Sequence, residues 1–239
     1  MPAHPDVTGF FDEPTNTVSY VVSDPATKAS AIVDSVLDYD SASGRTATRS
    51  AGQMISHVKD KGLTLEWVLE THVHADHLSA APYIQEKLGG KLAIGENIRI
   101  VQDTFGKIFN AGTEFQRDGS QFDHLFKDGD TFMLGSIPCS VMHTPGHTPA
   151  CITYIIGDAA FIGDTLFMPD FGTARADFPG GDARQLYRSI RRVLSLPPAT
   201  RLFLCHDYKA PGRDQFAWET TIAAERAANV HVKDGIGEE

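Results

Sequence analysis

The segment THVHADHLSA, residues 71–80, places His72, His74, Asp76 and His77 within six positions of a chain that has ten histidines. Imidazole nitrogens and carboxylate oxygens bind borderline metals such as zinc and ferrous iron. In an extended or turning backbone, alternate side chains share a direction. His72 and His74 can therefore address one metal, with Asp76 and His77 reaching a neighbouring position. Three more positions repeat this chemistry. Pro145-Gly146 is a strong turn former that presents His147 from a loop tip. Asp164 closes the apolar run FIGD, a costly place for a charge unless something pairs with it. His206 follows the apolar run LFLC. Taken singly, these are a polar loop, a turn aspartate and a core histidine. Taken together, four strand ends carrying metal-type ligands point to one metal centre. His143, Asp158 and Cys205 read as structural: a strand-end histidine, a hairpin aspartate and a core-facing thiol.

Such ligands need elements that hold them. WVLE reads as a buried strand running into the first motif, and IPCSVMHT, CITYII, AAFIGD and RLFLCHD as further strands. Helical spacing marks residues 51–61, the segment from Leu78 to Leu88, NIRIVQDTFGKIF and DARQLYRSIRRVL, with DQFAWETTIAAERAA as a terminal helix. FPGG reads as a tight turn before the DARQLYRSIRRVL helix; its glycine spacing matches no phosphate-cradling loop. Residues 38–50 are small and polar and read as a loop. Intermixed strands and helices argue an α/β fold in layers. The chain, 1–239, reads as a single domain with a flexible tail at 232–239.

The totals exclude several classes. Thirty-one acidic against 21 basic residues give a formal net charge of -10, which opposes nucleic-acid partners. An anionic substrate therefore needs its own arginine or lysine. No run of about 18 apolar residues is present, so no membrane span is expected. Three widely spaced cysteines and an amino terminus without a signal-like segment fit a reduced, cytoplasmic setting. A homodimer is compatible with the sequence.

The order HxHxDH, His147, GDTLF with Asp164, and His206 resembles the metallo-beta-lactamase superfamily over nearly the whole chain. The resemblance implies an αββα sandwich: two mixed sheets face to face, helices outside and metal at one sheet edge. In hydrolase members His72, His74 and His147 would serve one metal and Asp76, His77 and His206 a second, with Asp164 between them. GTARADFPGGDARQLYRSI, residues 172–190, together with CHDY, resembles the persulfide dioxygenases, sister enzymes of glyoxalase II. That branch implies one Fe(II) per chain on His72, His147 and Asp164, with glutathione persulfide and dioxygen as substrates and sulfite and glutathione as products. His74, Asp76, His77 and His206 would then orient ligands and water. Arg175 would anchor a substrate carboxylate, the alternative being an ion pair with Asp177. Tyr208 would donate its hydroxyl at the reacting groups, the alternative being an ordinary strand-end tyrosine. The competing expectation is a two-zinc hydrolase of glutathione thioesters like glyoxalase II. Beyond His206 the residues read as one helix and a tail, short for that family's basic helical domain, which favours the dioxygenase branch.

Overall fold

The computed structural model describes residues 4–238; the first three residues and the last position of the expected tail lie outside the described residues. In chain order the first half contains β1 (Asp6–Asp12), β2 (Thr17–Ser23), β3 (Ala29–Val33), β4 (Val36–Asp40), β5 (Arg45–Ala47), α1 (Arg49–Asp60), β6 (Thr64–Leu69), β7 (Leu78–Ser79), α2 (Ala81–Leu88), β8 (Lys91–Gly95), α3 (Ile98–Ile108) and β9 (His124–Phe126). The second half contains β10 (Thr131–Leu134), β11 (Ile137–His143), β12 (Ile152–Ile156), β13 (Ala159–Phe161), α4 (Ala183–Val193), β14 (Arg201–Phe203), β15 (Glu219–Thr221) and α5 (Ile222–Ala228). Beside a small sheet of order β5-β4-β7, one large sheet has the order β1-β2-β3-β6-β8-β9 and the other β10-β11-β12-β13-β14-β15. Each large sheet mixes antiparallel and parallel pairs.

Burial on both faces explains the nearly continuous apolar strands. Along β2, Val18, Tyr20 and Val22 point into the layer between the sheets, where they meet Tyr154, Ile156, Phe161 and Phe203. Val21 points the other way, onto Met54, Ile55 and Val58 of α1 and Ile84 of α2. Against the second sheet, Leu186, Ile190 and Val193 of α4 pack on Ala160, Ile162 and Leu202. The result is the expected αββα sandwich. The two best-defined helix starts are capped by side chains: Asp182 accepts from the Gln185 amide at 2.9 Å and Thr221 from the Ala224 amide at 3.2 Å.

Three expectations are corrected. Residues 38–50 are not a loop. They finish β4, turn, form β5 and enter α1, with Asp38 opposite Ala47 and Asp40 opposite Arg45. The Asp40 carboxylate makes the turn by accepting from the Ala42 amide and the Ser43 hydroxyl. Exposure of all of β5 leaves no apolar alternation to read. The segment from Asp214 is not one helix, because Glu219–Thr221 pairs with β14 and only Ile222–Ala228 is helical. The described part of the tail is docked, not free: Val232 is buried, Arg191 donates to its carbonyl at 3.1 Å, and the Tyr187 hydroxyl donates to the Ile236 carbonyl at 3.0 Å.

Candidate metal centre

Each ligand-type residue stands where a strand has just ended. His72, His74, Asp76 and His77 follow β6 in an irregular segment, and α2 starts only at Ala81, later than the expected helix start. His147 sits in the β11–β12 connection, Asp164 follows β13 and His206 follows β14. Two glycines bring loops close enough. Gly146 has φ +138°, and a Cβ there would lie 2.3 Å from the Leu186 backbone. Gly163 has φ +51°, and a Cβ would lie 2.5 Å from Thr71 Oγ1, so only glycine lets Asp164 approach the Thr71-His72 segment.

His72, His147 and Asp164 converge: their ligand atoms lie within 4.8 Å of one another and all three residues are buried. Asp164 Oδ2 is 3.4 Å from His147 Nε2 and 3.8 Å from His72 Nε2, and Asp164 Oδ1 is 3.3 Å from His206 Nε2. Backbone carbonyls orient the rings. His147 Nδ1 donates to the Arg175 carbonyl at 2.8 Å, His77 Nδ1 to the Leu78 carbonyl at 3.0 Å, and His206 Nδ1 to the Asn16 carbonyl at 3.2 Å. A carbonyl only accepts, so in each neutral ring the proton sits on Nδ1 and the Nε2 lone pair is free for a metal.

His72 Nε2, His74 Nδ1, His77 Nε2 and Asp164 Oδ1 are buried without a hydrogen-bond partner. Buried polar atoms are rarely left so, and this cluster of four fits a metal-binding site. The donor chemistry, imidazole with carboxylate, suits zinc or ferrous iron. Burial, then the neighbouring imidazoles, push His72 well below the ordinary histidine pKa, and burial and His74 bring His77 to about 4. Both rings are therefore neutral and able to ligate.

His74 differs from its neighbours. Its Nε2 lies between Asp34 Oδ1 at 3.2 Å and Glu70 Oε2 at 3.3 Å. Burial works against its proton, but the Asp34 carboxylate outweighs this and raises the pKa well above the usual value. Its ligand atoms group with those of Asp76 and His77, or of Asp34 and Glu70. Asp76 sits at the edge, its side chain 32% exposed, taking a hydrogen bond from the Thr17 hydroxyl at 3.0 Å. The structure thus brings all seven motif residues to one locality, with His72, His147 and Asp164 as one compact trio.

A cleft of about 550 Å³ opens over Asp164, His147 and His206, walled by Phe167, Phe171, Phe178 and Tyr208. The Tyr208 ring stacks on His206 at 5.6 Å, and burial, with Asp164 and Asp76 nearby, raises its pKa, so the phenol keeps its proton for donation. Arg175 also lines the cleft, yet its Nε pairs with Asp177 at 2.6 Å and its guanidinium lies 4.3 Å over the Phe178 ring. Its backbone carbonyl holds His147, a role that no side-chain chemistry announces.

Other supports have weak sequence signals. Asp34 carries the signature of Asp164, an aspartate closing an apolar run, but no motif around it. Arg213 grips Asp207 through two bonds of 2.6 and 2.7 Å and Asp170 through bonds of 2.6 and 3.1 Å, fixing the segment after His206. Cys205 is buried; burial and then Asp34 raise its thiol well above the usual value, which removes it as a nucleophile. His143 bonds to Asn97 and the Pro149 carbonyl, and Asp158 to Arg201, as structural groups.

The chain belongs to the metallo-beta-lactamase superfamily, whose family model matches residues 12–206. A probable metallo-hydrolase of Burkholderia pseudomallei is 57% identical to it, over 98% of this chain and 82% of that protein. A beta-lactamase hydrolase-like protein of Xylella fastidiosa is 53% identical over 95% of this chain, which spans about half (52%) of that relative's length. The human mitochondrial persulfide dioxygenase ETHE1 is 30% identical over 83% of this chain and 66% of its own. Among solved structures, ETHE1 from Myxococcus xanthus superposes with a TM-score of 0.75 at 31% identity, covering 95% of this chain and 84% of that one. Among the described residues no helix is long and apolar enough to cross a membrane.

Proposed function

We propose that the chain is a persulfide dioxygenase: one ferrous ion on His72, His147 and Asp164, with glutathione persulfide oxidised by dioxygen to sulfite and glutathione. The observation that carries this reading is the convergence of that buried trio, while His74, its ring 4.1 Å from that of His72, turns its ligand atoms to Asp34 and Glu70 or to Asp76 and His77. Two histidines and one carboxylate leave adjacent positions for two further ligands. Likeness to ETHE1 in sequence and fold supports the same branch.

Bound ferrous iron would supply the one-electron chemistry that lets dioxygen react with sulfur. The balance is persulfide plus dioxygen plus water giving thiol plus hydrogen sulfite plus a proton. The chain's residues position and protonate. Tyr208 holds its hydroxyl at the cleft, and phenylalanine side chains make its walls apolar. Asp76 and His206, joined through the Thr17 hydroxyl, orient water at the floor. Arg175, at the rim, takes a glutathione carboxylate by exchanging its partner Asp177.

The second reading is a two-zinc thioester hydrolase. It draws on the unpartnered His74 Nδ1 and His77 Nε2, and on the metallo-hydrolase name of the Burkholderia relative. Parallel assays separate the two. Iron-loaded protein should consume oxygen with glutathione persulfide and leave S-lactoylglutathione nearly untouched. Zinc-loaded protein that cleaves the thioester at tens per second, with no oxygen uptake in the iron form, would favour the hydrolase.

A further inference from the structure

A second cleft, of about 600 Å³, touches the trio at His147, is lined beside it by His74, and shares Ala75, His147 and Phe178 with the first. Its walls are Val73, Val101, Phe105, Phe109, Phe115 and Phe122. Among the described residues no aspartate, glutamate, lysine or arginine lines it, and its glutamine and threonine side chains are already engaged. Gln102 donates to Gln121 Oε1 at 2.8 Å and accepts from the Gly119 amide at 3.0 Å; the Gln121 amide donates to the Gln116 carbonyl at 2.8 Å. The Thr148 hydroxyl is paired with Cys151 Sγ at 3.1 Å. A glutathione arm, with two carboxylates and an ammonium, would lose water here without replacement partners. Yet Phe109, 75% exposed, Val73 and Phe115 together leave apolar surface in water along this cleft. Because His147 lines both clefts, an occupant of this one lies beside the reacting centre and is an arm of a substrate.

We propose that this cleft binds hydrocarbon, so that the site also takes alkyl persulfides, R–S–SH with an unbranched apolar R. The proposal rests on the persulfide reading for its chemistry. The step consumes alkyl persulfide, dioxygen and water and yields alkyl thiol, hydrogen sulfite and a proton. The S–S bond breaks with its electron pair on the organic sulfur, which takes a proton. Dioxygen accepts four electrons and supplies two of the sulfite oxygens, and water supplies the third.

Two measurements test it on the full chain. In the first, iron-loaded protein is given butyl, hexyl and octyl persulfide, and KM is read from oxygen uptake. Each added methylene should lower KM by up to about fourfold, the equivalent of about 0.8 kcal/mol per buried CH2. Phe109→Glu, a change at an exposed position, should cut the octyl-to-glutathione persulfide ratio of kcat/KM by about tenfold. In the second, butanethiol and hexanethiol displace 1-anilinonaphthalene-8-sulfonate from metal-free protein, with no turnover required. Hexanethiol should bind about tenfold tighter or better, and Phe109→Glu should weaken it. Turnover of glutathione persulfide with no dependence of KM on alkyl length would overturn the hydrocarbon cleft alone. Chain-length-dependent displacement without any oxygen uptake would retain the cleft and remove the persulfide reading beneath it.

Discussion

Thr71 and Asp34 are joined twice: the Thr71 amide donates to Asp34 Oδ1 at 2.7 Å and its hydroxyl to Oδ2 at 2.8 Å. The hydroxyl has one proton, and Asp34 takes it. His72 Nδ1, 3.0 Å from the same oxygen, is therefore the donor in that contact, and its Nε2 faces Asp164 with a free lone pair. Thr71→Val keeps the shape and removes the acceptor. Metal affinity, read by competition with a chromophoric chelator, should fall 10- to 100-fold, as is typical when a ligand's supporting hydrogen bond is lost. Unchanged affinity would show that the His72 ring is fixed by packing alone.

Asp164→Ala should abolish both stoichiometric iron binding and oxygen uptake, since it removes the only carboxylate of the trio. Asp76→Ala should retain about one iron per chain by elemental analysis even where turnover drops. Loss of all metal in Asp76→Ala would instead mean a coupled two-metal centre.

The ligands were legible because each one interrupts an apolar pattern at a strand end. His72, His147, Asp164 and His206 stand after buried runs, where a polar residue has to be explained. Asp34 stands after Ile32 and Val33 in the same way, but its role emerges only when β3 and β6 lie side by side. Arg213 and Asp170 pair across 43 positions and leave no periodic trace. Nor did the β4–β5 hairpin, since β5 is exposed throughout. At Glu219–Thr221 the helical periodicity yields to pairing with β14, where β-branched Thr220 and Thr221 are well suited.

Arg175 faces two tasks. Its side chain is 64% exposed and already paired with Asp177, so a substrate carboxylate gains only a screened contact. Arg175→Ala should raise KM for glutathione persulfide about five- to tenfold, the equivalent of about 1 to 1.4 kcal/mol, with iron content unchanged. Asp177→Asn, which frees the guanidinium, should lower KM. No change in either variant would leave Arg175 as a carbonyl that orients His147 and a surface ion pair.

Arg213→Ala strands the buried Asp207 carboxylate and should cost about 3 kcal/mol in denaturant unfolding. Burial opposes ionisation of Asp207, but the Arg213 bonds outweigh it and hold the carboxyl below its usual range. A depressed folded-state pKa stabilises above the unfolded value of about 3.9 and the contribution is lost as pH falls through the folded value. The gap between wild type and Arg213→Ala should therefore be full near pH 7 and shrink below about pH 4. A gap that persists undiminished in acid would assign the loss to packing of the arginine stem.

The most direct measurement is the stoichiometry of one reaction: iron-loaded protein, glutathione persulfide limiting, dissolved oxygen and sulfite followed together. Persulfide oxidation at the His72, His147 and Asp164 trio requires one dioxygen consumed per sulfite and per glutathione released, lost in Asp164→Ala. Sulfite formed without matching oxygen uptake, or no oxygen uptake at full iron occupancy, would contradict it.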